Sequence, residues 1–515
     1  MSSQESNKTS SRNSKIMLLL VIISLFSKLF GFARDIILSN SFGAGIVADA
    51  YLSTLSIPDM FLDLFANTAM MGFVPLAVEK LNSSRDEINN FSSSACKLLL
   101  AIALVFTAVL SLFPEIMINI LAPGFEGEKR ALAILFLRII SFTMLFRSIT
   151  SVFNSYLSAN KYFVPAAFLG ITLDISIIIA IIVSSRFDLV YILPFGVLLG
   201  TVLQTLLLMP FSIKKGLRLK VHAPIFSKDM RNLLVMSIPA MFSVGLMQLS
   251  TIFNRALASE ITTGAITMLN HSSKISFFVE NIIVSSIATV LYPLLAEYHL
   301  TGRKDMIQNV LGDTIDKLIT FLLPASVGLA MLSEPIIDFL FGNGQFTEEN
   351  VKVTAVLMTL QVIGILGIAV QTLLTRALFS MKKIKLSIFI SISLLITYVA
   401  ISFALSRIWG LYGIALATGL SYTVGGIVYY VIVNKICNGI NVKTTGIVFL
   451  KSSISCALMA VVVFLITNFL PISPLWNMIL AVGAGVIVYF AAAQVLRLQH
   501  ISIKPILNKL KTLKK

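Results

Sequence analysis

Charged residues are scarce in this sequence. Only 12% of the 515 residues are Asp, Glu, Lys or Arg, whereas a soluble globular domain carries about 25%. Hydrophobic residues make up 57% of the chain, and the mean hydropathy is +0.91. A soluble enzyme or binding domain is therefore excluded, and the composition predicts a polytopic membrane protein.

Cysteine and histidine are also rare. The three cysteines, Cys96, Cys437 and Cys456, lie in or beside apolar segments without paired spacing, and the four histidines do not cluster. Neither a disulfide framework nor a metal site is indicated. The sequence contains no GxxxxGK[ST] loop, so we expect no cofactor and no direct use of ATP. Energy for transport would come from the membrane potential, an ion gradient or consumption of the product.

Acidic residues are fewer than basic ones, which gives a net charge of +16. A nucleic-acid-binding protein would cluster this charge on one folded domain. Here the Lys and Arg residues sit in short loops, so we expect no nucleic-acid partner. The ten-residue alternations of a membrane barrel are also missing from the sequence.

Apolar segments long enough to cross a bilayer as helices recur along the whole chain. They predict an all-α polytopic membrane protein with about fourteen transmembrane helices. The predicted spans lie near 16–39, 46–78, 91–121, 129–158, 162–185, 189–212, 229–259, 264–297, 312–340, 347–381, 383–407, 411–436, 446–470 and 473–497. We expect the polar segment 1–15 to be disordered and the first span to be retained rather than cleaved.

The basic residues fall mainly on alternate loops. One side holds the N-terminal segment, the loops after the even-numbered spans and the tail, whereas the other side holds only Lys129, Arg130, Arg186, Lys352 and Arg407. By the positive-inside rule, both termini of a protein of the cytoplasmic membrane would face the cytoplasm.

An internal repeat divides the chain. "FVPLAVE" at 73–79 resembles "LYPLLAE" at 291–297, and "PEIMINILAPGF" at 114–125 resembles "EPIIDFLFGNGQF" at 334–346. Matches in the same order at nearly one offset predict two six-helix lobes in parallel orientation. The predicted parts are an N-lobe at 16–212, a linker at 213–228, a C-lobe at 229–436, two added helices at 446–497 and a basic cytoplasmic tail at 498–515. That tail would either lie on the anionic inner leaflet or fray.

Charges interrupt the first apolar segment. Lys28, Arg34 and Asp35 share one helical stripe with Gly31. A charge at mid-membrane costs about 2.5–3.5 kcal/mol on insertion scales, so the three cannot all face lipid. We therefore expect this stripe to face a polar interior.

Three further helices carry similar charges. Asp49 and Asp63 lie on helix 2, Arg255 on helix 7 and Lys274 on helix 8. The cations, together with Lys28 and Arg34, would suit an anion such as the phosphate head of a lipid carrier. An alternative is that these charges form interlobe or interhelical salt bridges, such as one between Asp63 and Lys274, and both roles could hold together. We attribute four other charges, Arg138, Arg147, Asp174 and Arg376, to packing against carbonyls or headgroups.

Several stretches resemble one known family. "KLFGFARDIILSNSFGAGIVADAY" at 28–51, "LSEPIIDFLFGNGQFTEENV" at 332–351 and "WGLYGIALATGLSY" at 409–422 resemble the MurJ/MviN lipid II flippases. The resemblance implies a fourteen-helix member of the multidrug/oligosaccharidyl-lipid/polysaccharide exporter superfamily. Such a protein would move an undecaprenyl-pyrophosphate-linked peptidoglycan precursor to the outer leaflet by alternating access. Its partners would be that substrate, membrane lipids and the cell-wall synthesis machinery.

The resemblance also extends to individual residues. Arg34, Asp35 and Asp49 match charged positions of the family's cavity, and Lys28 and Lys274 stand where Arg is expected. Asp63 replaces a basic residue, which leaves open a flippase for another undecaprenyl-linked polysaccharide. A drug antiporter fits less well because it favours cationic substrates. A glycosyltransferase would need carboxylates at a leaflet surface, and the outward loops hold only scattered acids, so we expect no enzyme.

Overall fold

The computed structural model describes residues 3–225, 227–437, 439 and 441–498. Every regular element within these residues is a helix, which confirms the predicted all-α class. The chain packs into two compact units, residues 1–267 with 344–346, and residues 268–343 with 347–515. Nearly all of the predicted basic tail lies outside the described residues.

The first unit contains eleven α-helices and one π-helical segment among its described residues. They are α1 (Ser3–Phe42), α2 (Ile46–Phe61), the π segment (Leu62–Asn67), α3 (Thr68–Ser83), α4 (Arg85–Leu112), α5 (Pro114–Leu121), α6 (Gly127–Ser141), α7 (Thr143–Ala159), α8 (Val164–Ala167), α9 (Leu169–Phe187), α10 (Ile192–Lys214) and α11 (Lys228–Ser259). Helix α1 begins at Ser3, within the segment that we expected to be disordered. Extending a helix that has already formed is far easier than nucleating one.

The second unit contains the remaining helices. They are α12 (Ala265–Leu300), whose first three residues belong to the first unit, α13 (Lys304–Met331), α14 (Ser333–Phe341), α15 (Glu348–Val362), α16 (Ile365–Ser380), α17 (Ile384–Ile436), α18 (Val442–Phe469) and α19 (Pro474–Val495).

Within the described residues, eight helices are long and apolar enough to cross a membrane. The number is ten if two bent pairs each count as one span. These pairs are 46–67 with 72–83, bent by 41°, and 348–362 with 365–380, bent by 45°. The molecule is therefore a multi-pass membrane protein, and the count of fourteen spans stays a prediction.

Helix α17 is a tight helical hairpin. Its path breaks at Trp409 and Gly410, where Gly410 has a φ of 54° and a ψ of −128°, a conformation suited to glycine. On either side of the break, the Tyr429 hydroxyl lies 3.2 Å from the Ser387 hydroxyl, and the Tyr398 hydroxyl lies 3.5 Å from that of Thr418. The two halves therefore run antiparallel, close to the predicted spans 383–407 and 411–436.

Small residues allow close packing of α9 and α10 in the first unit. A Cβ atom added at Gly196 would lie 2.2 Å from the Cβ of Ala180, and one at Gly200 would lie 2.8 Å from Leu173. Helix α1 packs on α9 in the same way, because Gly170 leaves room for the Ser27 hydroxyl. These contacts bring the charged stripe of α1 against α9.

Helix α11 belongs to the first unit by packing, since it contacts α3 and α5. The repeat had assigned this helix to the C-lobe. The division by packing therefore differs from the division predicted at 213–228, because a repeat describes the order of helices along the chain rather than their contacts.

Candidate functional site

Arg34 is the centre of a charge cluster between α1 and α9. Its Nη1 donates to Asp174 Oδ1 at 2.8 Å, and its Nη2 and Nε donate to Asp35 Oδ1 at 3.1 and 3.2 Å. Both carboxylates are buried. One guanidinium thus bridges two acids, and these three groups sum to one negative charge. That the stripe of Lys28, Arg34 and Asp35 faces a polar interior stays a prediction.

These hydrogen bonds restrict which edge of the Arg34 guanidinium could bind an anion. The three bonds to carboxylates use three of the five guanidinium N–H groups, and 21% of the Arg34 side chain is exposed. An anionic ligand could therefore reach the outer edge of the guanidinium while Asp35 and Asp174 hold its inner edge. Sequence analysis missed Asp174 as the partner, although a charge within the apolar run of α9 was the signal.

Asp49 is fully buried near the start of α2. Its Oδ2 accepts from Lys129 Nζ and from the Gly264 N–H, both at 2.7 Å. Its Oδ1 accepts from the Thr267 N–H at 3.0 Å and from the Thr267 hydroxyl at 2.7 Å. Asp49 thereby pairs with a buried lysine and caps the first turn of α12, where N–H groups lack partners within the helix.

Lys129, on α6, completes this contact. Its Nζ also lies 4.3 Å from the centre of the Phe125 ring, so the ammonium meets a carboxylate and an aromatic face. The sequence analysis placed Lys129 in a loop and missed its pairing with Asp49. Their separation of 80 residues leaves no local signal for such a pair.

Asp63 lies on the π segment that follows α2. Its carboxylate accepts from Asn67 Nδ2 at 2.9 Å and from Gln248 Nε2 of α11 at 3.0 Å. One turn earlier, Asp59 pairs with Arg147 of α7 at 2.5 Å. π-Helical turns are frequent at functional sites because they redirect side chains. Arg147, which we expected to pack against carbonyls or headgroups, forms an ion pair with Asp59 instead.

A pocket between α2, α5 and α11 contains Arg255. Arg255 also donates to the carbonyl of Leu52. The lining residues are Ser56, Ile57, Met60, Met117, Leu121, Gln248, Thr251, Ile252 and Arg255. One cation, one amide and two hydroxyl side chains thus lie beside five apolar residues, an arrangement that suits a ligand with both a charged and an apolar part.

Lys28 and Lys274 complete the predicted set. Lys28 is exposed on α1, two turns before Arg34, and Lys274 is partly buried on α12 in the second unit. The first unit thus holds six of the seven predicted residues, which are Lys28, Arg34, Asp35, Asp49, Asp63 and Arg255. Within that unit they form separate sites at the Arg34 cluster, at Asp49 and around Asp63 and Arg255.

The chain is similar to known proteins over most of its length. The chain is similar to the "Probable lipid II flippase MurJ" of Thermotoga maritima, with 29% identity over 403 residues, 78% of this chain and 81% of that protein. It is also 29% identical over 371 residues to the protein of the same description from Buchnera aphidicola, covering 71% of this chain and 73% of that one.

Solved structures agree with this similarity. The structure described as lipid II flippase MurJ in an inward closed conformation matches with a TM-score of 0.82 and 25% identity, over 94% of this chain and all of the other. An inward-facing multidrug resistance MATE family transporter matches with a TM-score of 0.71 and 13% identity, over 82% of this chain and 98% of the other. The second match shows only a shared fold.

A model of the family described as lipid II flippase MurJ matches residues 38–482. This range covers most of the chain and includes Asp49, Asp63, Arg255 and Lys274. The chain therefore belongs to the MurJ family of lipid II flippases.

Proposed function

We propose that this protein moves lipid II from the inner to the outer leaflet of the bacterial cytoplasmic membrane. The guanidinium of Arg255 beside apolar side chains carries the proposal, and the cavity there, about 10 Å³ in volume, would have to widen to admit the ligand. A lipid-linked glycan pyrophosphate presents both the anion and the apolar chain that such a lining would bind. Family membership supports the same substrate, and we propose that the protein acts as a carrier rather than an enzyme.

Asp49 supplies a contact that we propose opens during alternating access. It holds the start of α2 to the start of α12 through two backbone N–H groups and one hydroxyl. We propose that both chain termini are cytoplasmic, so these helix ends lie at the outer face. Opening toward that face would then separate Asp49 from Gly264 and Thr267.

The membrane potential acts on charged residues that move across the membrane during transport. Each cation that crosses the membrane field gains or loses about 2.3 kcal/mol per 100 mV. We propose that the membrane potential, an ion gradient or consumption of lipid II by cell-wall synthesis enzymes drives transport. Imposing a potential on proteoliposomes in the absence of an ion gradient separates the first source from the others.

Rescue of bacteria depleted of their own lipid II flippase tests the substrate. We expect the chain to restore growth and peptidoglycan synthesis, and purified protein in vesicles to move labelled lipid II. If it reaches the membrane and moves a different undecaprenyl-linked polysaccharide but no lipid II, the assignment is wrong. Asp63 would then be the first residue to examine, because the family resemblance implies a basic residue at this position, whereas the Asp63 carboxylate accepts hydrogen bonds from Asn67 and Gln248.

Replacing Arg255 by Met should slow translocation of lipid II by about ten- to a hundredfold. The reason is that a charge-assisted hydrogen bond contributes about 1.5–3 kcal/mol. Arg255→Lys keeps the charge and should retain part of the activity. Transport by purified protein in vesicles provides the measurement, and Arg138→Met on the exposed face of α6 is the matched control. Equal rates for the Arg255→Met and control proteins would contradict a substrate contact at Arg255.

A further inference from the structure

The segment between α10 and α11 lies along the polar first half of α4. Four side chains of α4 hydrogen-bond to its backbone at intervals of four residues. They are Arg85, Asn89, Ser93 and Lys97. Residues four apart lie on neighbouring turns of one helix face, so α4 presents a continuous polar row. We call the segment held by this row, residues 215–223, the strap.

The bonds follow the strap from end to end. Arg85 Nη1 donates to the Lys215 carbonyl at 2.6 Å, and Asn89 bonds both the Gly216 carbonyl and the Arg218 N–H at 3.2 Å. The next bonds join the Lys220 N–H to Ser93 Oγ at 2.8 Å, and Lys97 Nζ to the Ala223 carbonyl at 2.6 Å and the Val221 carbonyl. The strap is therefore held by its backbone and by the buried side chains of Leu217 and Ala223, whereas the side chains of Arg218, Leu219 and Val221 are exposed.

The far end of the strap bonds to α4 where the polar first half of that helix ends. Lys97 is the last charged residue of α4 before the apolar run 98–112. That run extends for about 22 Å at 1.5 Å per residue, whereas the hydrocarbon core is about 30 Å thick. The Lys97 ammonium therefore lies at or within the interface between hydrocarbon and water. Val221 and Ala223, which bond to it, lie at the same level.

The side chains of the strap combine exposed apolar groups with positive charge. Leu219 is 48% exposed and Val221 is 82% exposed. Segment 214–228 contains five basic residues and no acidic residue. The five are Lys214, Lys215, Arg218, Lys220 and Lys228. One acid of α4, Asp86, pairs with Lys220 at 3.1 Å, which balances one of these five charges. Apolar side chains beside cations are typical of segments that bind an anionic membrane surface.

We propose that the strap binds anionic phospholipid headgroups at the membrane surface, with Leu219 and Val221 inserted among the lipids. Arg218 would hold a phosphate through its planar guanidinium. Lys97 would set the depth of Val221, because it fixes the carbonyls of Val221 and Ala223. This contact with the lipid bilayer is independent of the substrate that the protein transports.

A nitroxide label on Val221→Cys in the full-length protein measures the depth of the strap. The native cysteines are buried, and the unsubstituted protein supplies the labelling background. Collisions of the label with oxygen report lipid exposure, and collisions with a water-soluble nickel chelate report water. The protein is compared in phosphatidylcholine vesicles with and without phosphatidylglycerol. Arg303→Cys, in the exposed loop after α12, is the matched control position.

We expect the oxygen-to-nickel ratio at position 221 to be several-fold above that at position 303 and to rise with phosphatidylglycerol. Lys97→Met should lower the ratio at 221, and Arg218→Gln with Lys220→Gln should remove its dependence on phosphatidylglycerol. A ratio that is equal in the two kinds of vesicle would overturn the recognition of anionic headgroups. A label open to nickel in both would overturn insertion, and a label shielded from both reagents would indicate a protein contact instead. None of these readouts depends on lipid II transport.

Discussion

Replacing Arg34 by Ala is expected to abolish rescue of flippase-depleted bacteria and to lower the stability of the purified protein. The change leaves Asp35 and Asp174 buried without their shared cation. Breaking a buried ion pair from one side costs about 3–5 kcal/mol. Thermal unfolding in detergent measures the stability, and the amount of protein in the membrane fraction reports insertion. Arg138→Ala, an exposed arginine on α6, should change neither quantity.

A second substitution separates the two roles that Arg34 could have. Arg34→Ala combined with Asp174→Asn removes one negative charge along with the positive one, so part of the stability should return while Asp35 still lacks the Arg34 cation. If Arg34 also contacts the lipid II pyrophosphate, transport stays absent in the stabilised double variant. If transport returns together with stability, Arg34 acts only by neutralising Asp35 and Asp174, and its assignment as a substrate contact fails. Arg34→Lys should be intermediate, because it keeps the charge and loses the fork that reaches both acids.

Replacing Asp49 by Ala should have an effect of similar size at a different contact. The substitution leaves Lys129 buried without its carboxylate, which costs about 3–5 kcal/mol. It also uncaps α12, for about 0.5–2 kcal/mol more. We expect loss of complementation and a lower midpoint of thermal unfolding. Glu126→Ala, an exposed acid just before α6, is the matched control.

The pairing with Lys129 can be tested apart from the helix cap. Asp49→Asn keeps an oxygen for the Thr267 N–H but turns an amide NH₂ toward Lys129 and Gly264, so it should also be strongly destabilising. Adding Lys129→Met removes the stranded charge and should recover a large part of the loss. If the double variant is no more stable than Asp49→Asn alone, the ion pair contributes little and the cap accounts for the effect.

Local sequence patterns predicted much of the fold. The stripe of Lys28, Arg34 and Asp35 follows from helical periodicity, and the turn of the α17 hairpin lies between two apolar runs at Gly410. In each case the signal lies within one or two helices.

The partners of the charges could not be predicted in this way. Arg34 and Asp174 are 140 residues apart, and Asp49 and Lys129 are 80 apart. From one residue of such a pair, the sequence predicts that a buried charge has a partner of opposite charge, but it does not predict which residue that partner is. The π segment that contains Asp63 had no sequence signal that we recognised. The repeat assigns α11 to the C-lobe, whereas its contacts with α3 and α5 place it in the first unit. Those contacts depend on side chains that a comparison of the two repeats does not consider.

The row of side chains that holds the strap also determines how far α11 can move from α10. With all four α4 residues engaged, only Pro224 to Ser227 separate the last bonded residue, Ala223, from the start of α11. Four extended residues reach at most about 14 Å. If the row opened completely, the thirteen residues from Lys215 to Ser227 would reach about 45 Å. The bonds to Arg85, Asn89, Ser93 and Lys97 thus shorten a long connection, and opening Lys97, Ser93 and Asn89 in turn would lengthen it by two or three residues each.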